Sequence, residues 1–211
     1  MMSDRTQIAM IDYGMGNVHS VSKALEAAGA AVTWLSEPAG LDRFAGVVLP
    51  GVGSFGDGVR ELGARGLSGP VCDWIRRGRP FLGICVGMQL LLDGSDEAPG
   101  VRGFGICRGT VKRFTPSDPA LKVPQMGWNE VDAREQCPLF AGIPPRSHFY
   151  FVHSYYAEPA GRDVVGGETE YGVKYCSFLW QGRMFASQFH PEKSQTAGLR
   201  MLRNFVDLAG A

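Results

Sequence analysis

The sequence predicts an α/β fold, an open and mainly parallel sheet with helices on both faces and an antiparallel extension. Three observations carry that prediction. Through roughly the first hundred residues, short apolar runs alternate with helix-period patterns, the rhythm of parallel strands joined by crossover helices. Those runs are apolar almost throughout, as strands covered on both faces must be. From about residue 107 the pattern changes to successive extended runs, which is how antiparallel strands read.

Each element follows from its residues. Residues 7–11 form an apolar run closed by Asp12-Tyr13-Gly14-Met15-Gly16-Asn17, a strand entering a glycine loop. Val21, Ala24, Leu25 and Ala28 recur at i, i+3, i+4 and i+7, marking an amphipathic helix that Gly29 ends. Strands follow at 31–35 and 46–49, the second running into Pro50-Gly51-Val52-Gly53-Ser54-Phe55-Gly56-Asp57-Gly58, which reads as loop throughout. A helix near 70–77 precedes a strand at 80–84, and 86–92 continues as the next helix. In the second half, extended runs lie near 107–114, 126–131, 148–156, 164–169, 173–180 and 183–189, with Gln181-Gly182 as a hairpin turn. A helix near 196–208 follows. No repeat or Pro-, Gly- or Ser-rich linker divides the chain, so one domain over 1–211 is expected, with residues 1–6 a loose extension.

Composition narrows the function. The 21 basic and 21 acidic residues cancel and are mixed along the chain, so no surface for nucleic acid or for an anionic membrane is expected. A 45% hydrophobic, 20% charged composition supports a sizeable core and excludes wholesale disorder. The most apolar stretch, 81–92, falls short of the roughly 20 residues a membrane span needs. The polar start runs straight into a strand without an apolar signal region, so a cytoplasmic protein is expected. Cysteines at 72, 85, 107, 137 and 176 form no C-x-x-C pair and no zinc spacing with the histidines, so neither a disulfide scaffold nor a metal site is expected.

One cysteine stands apart. In Gly83-Ile84-Cys85-Val86-Gly87-Met88-Gln89 a buried strand breaks at Cys85 and a helix starts at once, the G-x-C-x-G form of a nucleophile elbow. Glycines on either side make room for a strained backbone, and the helix N-terminus favours the thiolate over the thiol. A nucleophilic thiol needs a base. Among the four histidines only His190 has an attendant carboxylate, in Gln188-Phe189-His190-Pro191-Glu192-Lys193. In an extended backbone residues i and i+2 share a side, so Glu192 reaches the His190 imidazole and completes a Cys85-His190-Glu192 triad. Gly51-Val52-Gly53-Ser54-Phe55-Gly56 fits G-x-G-x-x-G, but a dinucleotide site wants a helix starting inside that pattern, whereas Asp57-Gly58 read as more loop. The loop is read instead as half of an oxyanion hole, the Val52 and Val86 N–H groups facing the reacting carbonyl. Its glycines permit a peptide flip that turns one of the two donors away from the carbonyl.

The elbow and Gln188-Phe189-His190-Pro191-Glu192-Lys193-Ser194 together resemble the signature of class I (triad) glutamine amidotransferases. Asp12 to Asn17, Pro50 to Gly56, Pro124-Gln125-Met126-Gly127-Trp128-Asn129 and Tyr150-Phe151-Val152-His153-Ser154-Tyr155 narrow the likeness to the glutaminase subunits of imidazole glycerol phosphate synthases, over about residues 8–205. Val86 stands where that family commonly has Leu, at a position that offers only a backbone N–H. The resemblance implies glutamine as substrate, attack by Cys85 to give a glutamyl thioester, and ammonia as product. It implies Gly53, Gln89, Glu97, His153, Ser154 and Tyr155 around the bound glutamine, and neither metal nor organic cofactor. It also implies a heterodimer with a (β/α)8-barrel cyclase that uses the ammonia to make imidazole glycerol phosphate and an aminoimidazole carboxamide ribotide in histidine biosynthesis. Asn17, Met126, Trp128 and Lys193 would face that partner, although Trp128 also reads as a core aromatic and Glu97 as a solvated loop acid. Two alternatives stay open: the glutaminase subunit of another synthase, or a cysteine hydrolase or stress protein that works without the H-P-E element.

Overall fold

β1 (Gln7–Ile11), α1 (Val18–Ala27), β2 (Ala31–Leu35), β3 (Gly46–Gly51), α2 (Phe55–Ala64), α3 (Ser68–Arg76), β4 (Phe81–Cys85) and α4 (Val86–Gln89) alternate through the first half of the chain in the computed structural model, which describes residues 5–211. β1 pairs in parallel with β2 and β3, and β3 with β4. Ile8, Ala9, Met10, Val47, Val48, Leu49, Phe81 and Leu82 have no exposed surface, because neighbours in sequence point to opposite faces and both faces are covered. α1 packs with the C-terminal helix α5 (Gln195–Gly210), while α2 packs with α3 and α4. Of the loose extension expected over residues 1–6, residues 1–4 lie outside the described residues. Thr6 is tied into the sheet edge, its carbonyl accepting from the Ala31 N–H at 2.9 Å.

The second half supplies β5 (Gly94–Ser95), β6 (Gly109–Arg113), β7 (Gln125–Glu130), β8 (Asp132–Ala133), β9 (His148–His153), β10 (Tyr155–Pro159), β11 (Val165–Glu170), β12 (Lys174–Gln181), β13 (Met184–Ser187) and α5 (Gln195–Gly210). The main sheet runs β2-β1-β3-β4-β13-β12-β10-β6-β5, with β11 joined to β12 and β8 to β11, while β7 and β9 form a separate two-stranded sheet. β13 is the joint, parallel to β4 on one side and antiparallel to β12 on the other. Gln181 lies opposite Met184, so Gly182 (φ +59°) and Arg183 form the centre of the hairpin turn, one residue later than expected. No helix among the described residues is long and apolar enough to cross a membrane.

Three elements differ from expectation. The glycine stretch 50–58 does not remain loop, because α2 starts at Phe55. The Ser54 hydroxyl caps it by accepting from the Asp57 N–H at 3.2 Å, and Gly56 and Gly58 serve close packing against Ala98 and Leu90. The helix after Cys85 stops at Gln89 rather than Leu92, since the carbonyls of Leu90, Leu91 and Leu92 are taken by amides of residues 104–107. The run 148–156 is two strands, parted at Ser154, whose carbonyl accepts from the Phe114 N–H at 3.0 Å as the chain crosses from one sheet to the other.

β3, β4 and β13 are neighbours, and their carboxyl ends lie level: Gly51 opposite Cys85 and Ser187 opposite Ile84. In open α/β sheets the carboxyl ends of the strands are where ligands bind.

Candidate active site

Cys85 ends β4 and precedes α4 with φ +56° and ψ −111°. For a residue with a side chain such angles cost about 1–3 kcal/mol and persist only where the surroundings enforce them. Two glycines do the enforcing. A Cβ on Gly83 would lie 2.7 Å from the Gly87 carbonyl oxygen, and one on Gly87 would collide with the carbonyl oxygen of Leu49. The chain can turn this sharply from strand to helix only with hydrogen at both positions. The turn also puts the N-terminal end of α4, and with it the Val86 backbone N–H, next in the chain to the thiol.

The His190 imidazole is buried and paired with Glu192, Nδ1 to Oε1 at 2.8 Å. A carboxylate only accepts, so Nδ1 carries the proton and Nε2 is left for the site. The pairing does not arise from extended backbone as expected. Pro191–Lys193 is one turn of 3-10 helix, and it is this tight turn that brings residue i+2 round to the ring. The backbone beneath is clamped: the His190 N–H donates to the Tyr150 carbonyl at 2.9 Å, and the Ser194 hydroxyl donates to the His190 carbonyl at 2.6 Å while accepting from the Tyr150 N–H at 3.0 Å. Burial works against a charged His190 ring, but interaction with Cys85 and with Glu192 outweighs it and lifts the pKa to about 10. Among the described residues Nε2 has no hydrogen-bond partner, although Cys85 is near enough to act on it electrically.

A pocket of about 290 Å³ opens over these groups, lined by Val52, Gly53, Cys85, Val86, Gln89, Glu97, Val152, His153, Ser154, Tyr155 and His190. The structure thus gathers the triad cysteine and histidine, both residues expected of the oxyanion hole and all six expected around glutamine. Glu192 stands behind His190. Gly53 has φ +95°, and Val52 is 40% exposed at the lip. Glu97 is not a free loop acid: its Oε2 accepts from the Phe55 N–H at 2.7 Å, closing the α2 N-terminus that a dinucleotide phosphate would need. His153 is a wall rather than a base. Its Nδ1 meets the Tyr155 carbonyl at 2.7 Å and its Nε2 the Tyr175 hydroxyl at 3.3 Å, and burial pushes its pKa down to about 4 against the pull of that carbonyl.

Met126 is 64% and Trp128 45% exposed, so Trp128 is no core aromatic. The Trp128 ring meets Tyr150 edge-on at 6.1 Å, and the Lys193 ammonium lies 5.5 Å above the same Tyr150 ring. Asn17 precedes α1 and makes no side-chain cap. Two site residues escaped sequence reasoning as individuals, though both lie in motifs already singled out: Val152 lines the pocket, and Gln188 donates from Nε2 to Cys85 Sγ at 3.7 Å and accepts from Gln89 Nε2 at 3.0 Å. Only the place of Gln188, two residues before His190, could have marked it.

The model of the class-I glutamine amidotransferase family matches residues 9–208. The imidazole glycerol phosphate synthase subunit HisH of Dehalococcoides mccartyi is 46% identical over 202 residues, covering 96% of this chain and 97% of that protein. The subunit of the same name from Deinococcus radiodurans is 47% identical over 199 residues, covering 94% and 92%. Among solved structures, PurLQS from Thermotoga maritima superposes with a TM-score of 0.76 at 16% identity over 97% of this chain and 99% of that one, a likeness of fold.

Proposed function

Since the chain belongs to the class I glutamine amidotransferases and, within them, to the HisH family of imidazole glycerol phosphate synthase subunits, we propose that Cys85, His190 and Glu192 hydrolyse glutamine and that the ammonia goes to a cyclase partner. The observation that carries this reading is a strained thiol at a helix N-terminus beside a buried His190-Glu192 pair, at the floor of a pocket sized for a small side chain.

With a proton on His190 Nε2, where interaction with Cys85 and Glu192 holds it, Cys85 Sγ attacks the carboxamide carbon. The developing oxyanion is met by the backbone N–H groups of Val52 and Val86. As the C–N bond breaks, His190 Nε2 gives its proton to the leaving nitrogen, and ammonia departs from a glutamyl thioester. The ring, now neutral, takes a proton from water, which attacks the thioester and frees glutamate and the thiolate. Glu192 holds Nδ1–H throughout and offsets the charge on the ring. Gly53, Gln89, Glu97, His153, Ser154 and Tyr155 fix the amino-acid end of the substrate. No cofactor takes part.

The chain works as one unit over residues 1–211, in the cytoplasm, as half of a heterodimer with a (β/α)8-barrel cyclase that makes imidazole glycerol phosphate and aminoimidazole carboxamide ribotide in histidine biosynthesis. Asn17, Met126, Trp128 and Lys193 form the face that meets it; an exposed Met with a half-exposed Trp set against a Tyr ring is the composition of a binding surface. The test is division of labour in the complex. Cys85→Ser is expected to lose glutamine-driven synthesis and keep synthesis from ammonium salt. Loss of both would show that Cys85 supports the fold or the partner's chemistry.

A further inference from the structure

Among the described residues, three buried side-chain polar atoms have no hydrogen-bond partner: His190 Nε2, Glu192 Oε2 and the hydroxyl of Tyr13. The first two belong to the triad. Tyr13 comes from a different strand end, just past β1, and is fully buried. Its position is fixed by the turn around it, with the Gly14 N–H donating to Asp12 Oδ1 at 3.0 Å and the Asp12 N–H to the Leu35 carbonyl at 2.8 Å. The hydroxyl is pressed against the oxyanion strand. A Cβ on Gly51 would lie 2.6 Å from it, with Val86 Cβ at 2.8 Å and the Gly87 nitrogen at 3.0 Å from the same point.

A peptide group directs its N–H and its C=O in opposite directions. Whichever rotation turns the Val52 N–H into the pocket turns the Gly51 carbonyl away from it, toward the packed side of the strand. A buried carbonyl needs a donor. We propose that the Tyr13 hydroxyl is that donor: a positioning residue that holds the Gly51 carbonyl while the Val52 N–H faces the substrate. Burial, with a contribution from Cys85, raises the phenol above its usual range, so the group stays a hydroxyl at any working pH.

This inference rests on the glutaminase reading, and the test separates the two. Tyr13→Phe keeps the ring and removes only the hydroxyl. In the synthase complex, with the cyclase ligand present, its kcat for glutamine hydrolysis is expected to fall roughly two- to tenfold, the worth of one net hydrogen bond, with KM unchanged. Its melting temperature is expected to hold or rise, because a buried hydroxyl without a partner is unfavourable, and ammonium-driven synthesis is expected to continue at the wild-type rate. An unchanged kcat would overturn the proposal, as would a raised KM alone, which would make Tyr13 a substrate contact. A joint fall in melting temperature and ammonium-driven synthesis would overturn it too, in favour of packing. A wild-type complex that does not hydrolyse glutamine would remove the reading beneath it, whatever the variant does.

Discussion

His190, just past β13, and His153, at the end of β9, line the same pocket and are both buried, yet the two walls drive their rings in opposite directions. The β9 wall offers a carbonyl and a hydroxyl, partners without full charge, and burial decides: the ring is neutral with a pKa near 4. The β13 wall offers a carboxylate at 2.8 Å and a thiol across the pocket, and these outweigh a burial of the same kind to give a pKa of about 10. Burial alone therefore does not make a catalytic histidine. A buried negative partner does, and only one of the two rings has it.

The largest expected effect breaks the charged wall at its thiol. Cys85→Ala is expected to lower glutamine hydrolysis by 10⁴-fold or more, roughly as for other nucleophile deletions. A glutamine-analogue electrophile is expected to add one equivalent to Cys85 alone. Burial holds Cys107 and Cys137 up at about 11 and raises Cys72 and Cys176 as well, so equal labelling of any of these would defeat the assignment. Next comes the carboxylate. Glu192→Gln is expected to cost about 10²- to 10⁴-fold in kcat. Without the negative charge the His190 ring is easier to deprotonate, so the alkaline limb of the pH–rate profile should move to lower pH.

Smaller effects sharpen the contrast through stability. The His190 pKa is raised on folding, so its contribution is complete below the ordinary value of 6.5 and is lost as pH rises through about 10. The His153 pKa is lowered, so stability is present above 6.5 and is lost as pH falls through about 4. Denaturation midpoints should decline on both sides, by at most about 1.4 kcal/mol per pH unit for each proton. Glu192→Gln should flatten the alkaline decline. His153→Asn should flatten the acid one, lower stability by about 1–3 kcal/mol through its lost buried partners, and leave the pH–rate profile where it was. A profile that moved with His153 would mean that both walls titrate in catalysis.

Much of this was legible in the sequence where local chemistry dictates structure. β1 and β2 follow from apolar runs with clear ends, and the turn at Cys85 from two glycines whose hydrogens are sterically required. What stayed hidden was settled at a distance. The Gly56 and Gly58 that read as loop are helix glycines because Ala98 and Leu90 press on them, and nothing local announces that neighbour. The pairing of His190 with Glu192 was foreseen, but by the wrong backbone, since Pro191 opens a 3-10 turn as readily as it stiffens a strand. The closure of α2 by Glu97 joins residues 42 apart in sequence, beyond the reach of any motif.

The order of strands in the main sheet also governs how this protein comes into being. β13 is the last strand in sequence but lies in the middle of the sheet, between β4 and β12. While the chain is still being made, β4 has an open edge and Cys85 has neither base nor roof. Pairing of β13 with β4 joins segments about a hundred residues apart, a slow and non-local step. The same event that seals the sheet delivers His190 and Glu192 to the thiol. A nascent or truncated chain that stops short of β13 is thus exposed to aggregation and catalytically silent at once, and the glutaminase cannot run before the fold that restrains it is complete.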